Sequence, residues 1–183
     1  MKPLKAVVVY FTVSGHTQAA AESVAAALGA DLVRIEAAKP LPSNMFALLA
    51  VGGFAATMKR AWTARPAALK FGDYDLIIIG TPIWAWSFNP VVRGWLHANP
   101  IPAEIPFAAF ATVGGPIGFG AFDEMAAIAG RTPLATMTIH DADRKSGEDA
   151  RLIARFVTDI RAIAARCVSR AVFFQAAPTA ERF

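Results

Sequence analysis

Near-continuous apolar runs, each bounded by turn-forming residues, recur along the chain at intervals that leave room for a crossover helix. Residues 4–11 (LKAVVVYF), 74–80 (YDLIIIG), 106–112 (PFAAFAT) and 134–139 (LATMTI) show almost no polar alternation. That pattern predicts parallel strands buried on both faces. Residues 31–37 (DLVRIEA) alternate in part and read as an edge strand. Between the runs lie helical patterns. One spans residues 16–28, with Gly29 as its C-terminal stop. A second opens with Asn89 as N-cap and Pro90 at the first helical position. A third follows the glycine-rich GGPIGFGAFDEMAAIAG, and the last starts near Ser146, where Ser146-x-x-Asp149 resembles a capping box. Leu152, Phe156, Ile160, Ile163 and Cys167 form the apolar stripe of that last helix.

Strands alternating with helices predict an α/β doubly wound parallel sheet with helices on both faces. With no repeat and no dividing linker, residues 1–183 read as one domain. Residues 44–65 form a helical insertion longer than a simple connection. Phe46, Leu49, Phe54, Met58 and Trp62 within it suit a cap beside a ligand, a dimer face or plain core, with core or oligomer packing the expected account. The tail, residues 168–183, either extends the last helix or runs over the surface.

Composition narrows the class. Apolar residues make up 55% of the chain and charged residues 17%, which supports a sizeable core and excludes intrinsic disorder. The single cysteine, Cys167, excludes an internal disulfide framework and fits a reducing compartment. The opening MKPLKAVVVYFTVSG has the lysines of a signal peptide. Its apolar run is brief, however, and no small-x-small cleavage site follows, so it reads as a strand. No apolar stretch is long enough to span a bilayer, the nearest being residues 45–58. The expected location is cytoplasmic. The net charge of +4 comes from scattered residues without a basic stripe, which argues against nucleic acid and allows a preference for acidic partners.

Candidate chemistry begins where the first strand ends. In open parallel sheets ligands bind outside the carboxyl ends of the strands, and there the chain reads TVSGHT, residues 12–17. A helix N-terminus offers unpaired N–H groups and the positive end of a dipole. Gly15 admits close approach, and Thr12, Ser14 and Thr17 supply hydroxyls, a combination suited to a phosphate monoester. The alternative is that Ser14 merely caps the helix. Two further loops leave the same edge: TPIWAWSFNP (residues 81–90), with two tryptophans, and TVGGPIGFG (residues 112–120), rich in glycine. Tryptophan is more often core or interface than ligand-binding, and the glycine loop is a poor match to a dinucleotide fingerprint. Together the three loops suit a ligand with one phosphate and a planar ring.

These stretches resemble the flavodoxin family, most nearly its small bacterial members with a GTPxW loop. TVSGHT looks like the family's phosphate loop, YDLIIIGTPIW like its third strand and first flavin loop, and TVGGPIGFG like its second flavin loop. The resemblance implies a five-stranded sheet of order 2-1-3-4-5 and non-covalent FMN used in redox chemistry. It places Thr12, Ser14, Gly15, His16 and Thr17 at the phosphate. Thr81, Pro82 and Trp84 would line the flavin ring, with Trp84 stacking on it and Trp86 as the alternative. Thr112, Gly114, Gly115 and Gly118 would border the other side. His16 stands where the family usually has Asn, which opens pH-dependent phosphate affinity. The positive net charge departs from the acidic carrier flavodoxins, so an acidic redox partner is the expectation.

His97 and His140 lack partners at metal-binding spacing, and HDAD (residues 140–143) reads as a solvated turn. No nucleophile-elbow sequence supports hydrolysis. The function implied is electron transfer through bound FMN. NAD(P)H- or quinone-dependent flavin reduction, and a flavin-free binding module on the same fold, are the alternatives. A phosphate-receiver domain would need acids at the strand ends, and the first strand ends VVVYFT.

Overall fold

Successive side chains of a strand point to opposite faces of its sheet, so a strand covered on both sides requires an uninterrupted apolar run. The computed structural model, which describes residues 4–65, 69–115 and 120–175, puts the first three runs in that position. The fourth, residues 134–139, instead forms an edge strand, with Met137 and Ile139 buried on one face and Thr136 exposed on the other. The chain runs β1 (Ala6–Tyr10), α1 (His16–Leu28), β2 (Asp31–Arg34), β3 (Glu36–Ala37), α2 (Met45–Thr57), β4 (Ala64–Arg65) and β5 (Leu76–Trp84). It continues with β6 (Ser87–Phe88), α3 (Pro90–Ala98), β7 (Phe107–Val113), α4 (Ala121–Ala129), β8 (Thr136–His140), α5 (Asp141–Ser146) and α6 (Asp149–Gln175).

The parallel sheet has the order β2-β1-β5-β7-β8, which is 2-1-3-4-5 when only its own strands are counted. Val8 pairs with Leu32 on one side and Ile78 on the other, and Ile78 pairs in turn with Ala108. Val7, Val9, Ile77 and Ile79 face Val91, Val92 and Trp95 of α3. Their neighbours Val8, Tyr10 and Ile78 face Ala21 and Val24 of α1 and Phe156 and Ile160 of α6. Each such side chain removed from water contributes about 2 kcal/mol. β2 is largely exposed, as an edge strand should be. No helix among the described residues is long and apolar enough to cross a membrane.

The helix boundaries follow their caps. Gly29 closes α1 in the left-handed region, and the Asn89 side chain accepts the Val91 N–H at the start of α3, with Pro90 at its first position. Three local expectations are overturned. Residues 81–84 are not loop but the continuation of β5, which turns back through Ala85 and Trp86 to pair antiparallel with β6. Both turn residues lie in the left-handed region, at φ 43° and 63°, the geometry that lets a two-residue hairpin follow the strand twist. HDAD is not a solvated turn either. Asp143 accepts the His140 N–H at 2.7 Å, and the segment winds into α5 before Gly147 stops it. The predicted capping box at Ser146 is therefore absent, since Ser146 ends α5 and donates back to the Asp143 carbonyl.

α2 inverts the usual arrangement. Leu48, Gly52, Ala55 and Ala56 are buried, whereas Phe46, Leu49, Val51, Phe54 and Met58 are exposed. Its bulk is thus not core. The tail extends α6 as far as Gln175; residues 176–183, Gly118 and the side chain of Cys167 lie outside what is described.

Candidate functional site

The sheet's carboxyl edge gathers β1, β5, β7 and β8, and a cleft of about 350 Å³ opens there. Its walls include Ser14 and His16 from the turn after β1, Pro82 and Trp84 from β5, and Thr112 and Gly114 from β7. These six were expected from sequence, and chain order alone does not make them neighbours; the parallel crossovers do. The size falls within the roughly 300–1,000 Å³ of small-molecule sites.

The turn after β1 is built to leave donors free. Gly15 is the N-cap of α1 at φ 85°, and a Cβ placed on it would meet nothing within 4 Å. No side chain caps the helix, so the Ser14 cap alternative does not hold. The first-turn N–H groups lack acceptors of the intrahelical kind and remain for an outside anion. Thr12 braces the turn from below: it is buried, and its Oγ1 accepts the Gly15 N–H at 3.0 Å. Thr17 is also buried, with its Oγ1 2.7 Å from Thr112 Oγ1. One of those hydroxyls donates to the other, which leaves one proton of the pair for a ligand.

Trp84 is held edge-on by Phe11 and Trp62, at centroid separations of 6.3 and 6.2 Å. Gly52 of α2 makes room for its ring: a Cβ there would stand 2.4 Å from the indole. Thr81 serves the scaffold, being fully buried, accepting the Asn89 N–H at 3.1 Å and donating to the Pro82 carbonyl. Trp86 is 67% exposed at the hairpin tip and does not line the cleft. Gly115 is exposed and is not among the residues that line the cleft.

Asp141 was not anticipated. It lines the cleft, with Oδ1 3.9 Å from His16 Nδ1 and 3.1 Å from Arg144. The available signal was its position just past the last strand, at the edge where such sheets bind ligands. Leu48 and Leu49 of α2 and Val13 complete an apolar rim. Behind the hairpin, Glu124 accepts from Ser87 and Arg93 and pairs with Lys59. Burial alone would raise its pKa, but the Ser87, Lys59 and Arg93 contacts prevail and hold the carboxyl below its usual value.

A family model described as Flavodoxin matches residues 5–126. No curated protein matches the chain. Among solved structures, the chain is similar to a flavoprotein from Lactobacillus acidophilus in complex with FMN, at 15% identity and a TM-score of 0.61, covering 78% of this chain and 97% of that one. It is also similar to candidate flavoproteins from Bacteroides uniformis (23%, 0.66, covering 79% and 96%) and Bacteroides eggerthii (24%, 0.64, covering 74% and 88%). At these identities the likeness is one of fold.

Proposed function

The chain belongs to the flavodoxin family, and we propose that it holds FMN non-covalently and passes electrons to a partner protein. The observation that carries this is the uncapped N-terminus of α1, opened by a left-handed Gly15 and set in one cleft with Trp84. The residues suit the group. Backbone N–H groups of α1 and the Ser14 hydroxyl would hold a phosphate, with the Thr17–Thr112 pair beneath them. Trp84 would wall the ring, and Val13 and Leu49 would keep water from one side of it. When bound, FMN supplies reversible electron acceptance at its ring, and the protein supplies orientation and electrostatics. The positive net charge favours an acidic face on the partner, with association that weakens as salt rises.

A second reading, direct flavin reduction by NAD(P)H or a quinone, is favoured by Asp141, an acid within the cleft where none was expected. The deciding experiment reconstitutes the protein with flavin, identifies the flavin released by acid, and then assays NAD(P)H oxidation with a small quinone. FMN released, together with turnover well below the roughly 10 s⁻¹ typical of enzymes, supports the carrier. No flavin bound, or a preference for riboflavin, overturns both readings. Rapid salt-insensitive turnover replaces the first with the second.

A further inference from the structure

Apolar bulk turned toward water needs a cover, because single domains seldom expose more than about 300–600 Å² of contiguous apolar surface. α2 carries no charged residue from Met45 to Thr57 and packs on the body through Leu48, Gly52, Ala55 and Ala56. Phe46 is left 84% exposed, Leu49 56%, Val51 52%, Phe54 57% and Met58 56%. Trp86 extends the patch. The hairpin tip rests against the helix, with Ala85 Cβ 3.6 Å from where a Gly53 Cβ would stand, and Trp86 is 67% exposed beside it. Holding a tryptophan at φ 63° in a turn that favours glycine or asparagine costs about 1 kcal/mol.

We propose that this face, the outer side of α2 with Trp86, is the contact surface of a homodimer, covered by the same face of a second copy about a two-fold axis. Two features select a copy of this chain over another occupant. The first is area. With side chains of about 150–250 Å² for the aromatics, the exposed parts of Phe46, Phe54, Met58 and Trp86 alone amount to on the order of 550 Å² per copy, near the roughly 600 Å² each partner gives to the smaller specific interfaces. The second is charge. In a two-fold contact only the residues at the axis meet their own kind, and a face without charges sets no like charges against each other there. α2 itself is uncharged and the adjoining Lys59 is paired with Glu124 at 3.0 Å, while the exposed Arg60, 5.5 Å from the Phe54 ring centroid, is the one charge set against the face among the described residues. Because Leu49 also lines the cleft, the second copy would sit at the cleft's rim. The proposal stands on exposure and charge and does not require that the cleft hold FMN.

Sedimentation of the full chain over a hundredfold range of concentration tests it, with the double variant Phe46→Glu/Phe54→Glu alongside and circular dichroism as the folding check. The expected result is a dimer mass for the wild type and at least a tenfold weaker association for the folded variant. Phe54→Lys alone serves if the double variant does not fold. A wild type that stays monomeric overturns the proposal, as does a dimer that survives the substitutions. A monomeric wild type that co-sediments with phosphatidylglycerol vesicles also overturns it and assigns the face to a lipid surface.

Discussion

Arg93 Nη2 lies 2.7 Å from Glu124 Oε2, which joins α3 to α4 directly behind the hairpin that carries Trp84. The guanidinium is buried, lies 4.3 Å from the centre of the Phe88 ring, and also donates to Ser87 on β6. Lys59, just past α2, reaches the second oxygen of the same carboxylate. Residues of α3, α4 and β6 and the residue just beyond α2 therefore meet at one carboxyl group, and of these elements α2 lines the cleft.

Glu124→Ala is expected to destabilise the protein by about 3 kcal/mol, because it strands a buried guanidinium. Glu124→Gln keeps an acceptor and should lose about 1 kcal/mol. The pH dependence follows from the depressed carboxyl pKa. The ionised form is favoured by the fold, so its contribution is complete above the unfolded value of 4.5 and disappears as pH falls through the lower folded value. Urea unfolding across a pH series should show wild type and Glu124→Gln well separated at neutral pH and converging in acid. A constant separation down to acid pH would mean that the carboxylate's charge is not what binds these elements.

Ser14 and Thr17 were equivalent in the sequence and are not in the structure. Ser14 lines the cleft, while Thr17 is buried against Thr112. Ser14→Ala should weaken FMN by one to two decades and leave riboflavin unchanged, the worth of about 1.5–3 kcal/mol for a hydrogen bond to a charged group. Thr17→Ala should lower stability as well, since it leaves the buried Thr112 hydroxyl without its partner, and Thr17→Ser should restore it. Calorimetric titration with both flavins, beside thermal melts, separates the two roles. Equal loss of both ligands in Ser14→Ala would remove the phosphate assignment of the turn.

Trp84 owes its position to a glycine thirty-two residues earlier, Gly52. Trp84→Ala should restore emission to the bound flavin and cost about 1 kcal/mol of affinity, whereas Trp86→Ala should leave both unchanged. Gly52→Ala never touches the cleft, yet its new Cβ must displace the indole, so it should alter flavin emission in the same direction as Trp84→Ala. Steady-state fluorescence of the three reconstituted variants is the check. A larger effect from Trp86→Ala would exchange the roles of the two tryptophans.

What could be read from the chain was whatever leaves a periodic or capping signal. β1, β5 and β7 were visible because both their faces are covered, and β8 because its run is apolar, although only Met137 and Ile139 on one face are buried. α1 and α3 were visible because Gly29, Asn89 and Pro90 mark their limits. Residues 81–84 were misread because Thr, Pro and Trp after a glycine resemble a turn, while the antiparallel pairing that makes them strand comes from Ser87 and Phe88 folding back. Asp141 was hidden by the opposite problem. Its neighbours His140, Asp143 and Arg144 suggest solvent, and only the parallel pairing of β7 with β8 carries it to Gly114. The inverted face of α2 leaves no periodic signal at all, because every position from Met45 to Ala56 is apolar or small.

Asp141 offers the last test, because its carboxylate stands near either the phosphate or the ring and the two placements predict different outcomes. Arg144 at 3.1 Å offsets part of its charge, and His16 lies 3.9 Å away. Beside a phosphate, the remaining charge repels: two unit charges about 4 Å apart interact by about 1 kcal/mol in water. Asp141→Asn should then tighten FMN about fivefold at low salt, leave riboflavin unchanged, and lose its advantage as salt screens the pair. Beside the ring the phosphate is irrelevant. FMN and riboflavin would change together, and the flavin reduction potential would shift with the lost charge. Paired titrations of wild type and Asp141→Asn with both flavins, at low and high salt, separate these outcomes. Selective tightening of FMN supports the carrier with its phosphate at α1. A common change with a shifted potential places an ionisable group at the reacting ring and favours the reductase.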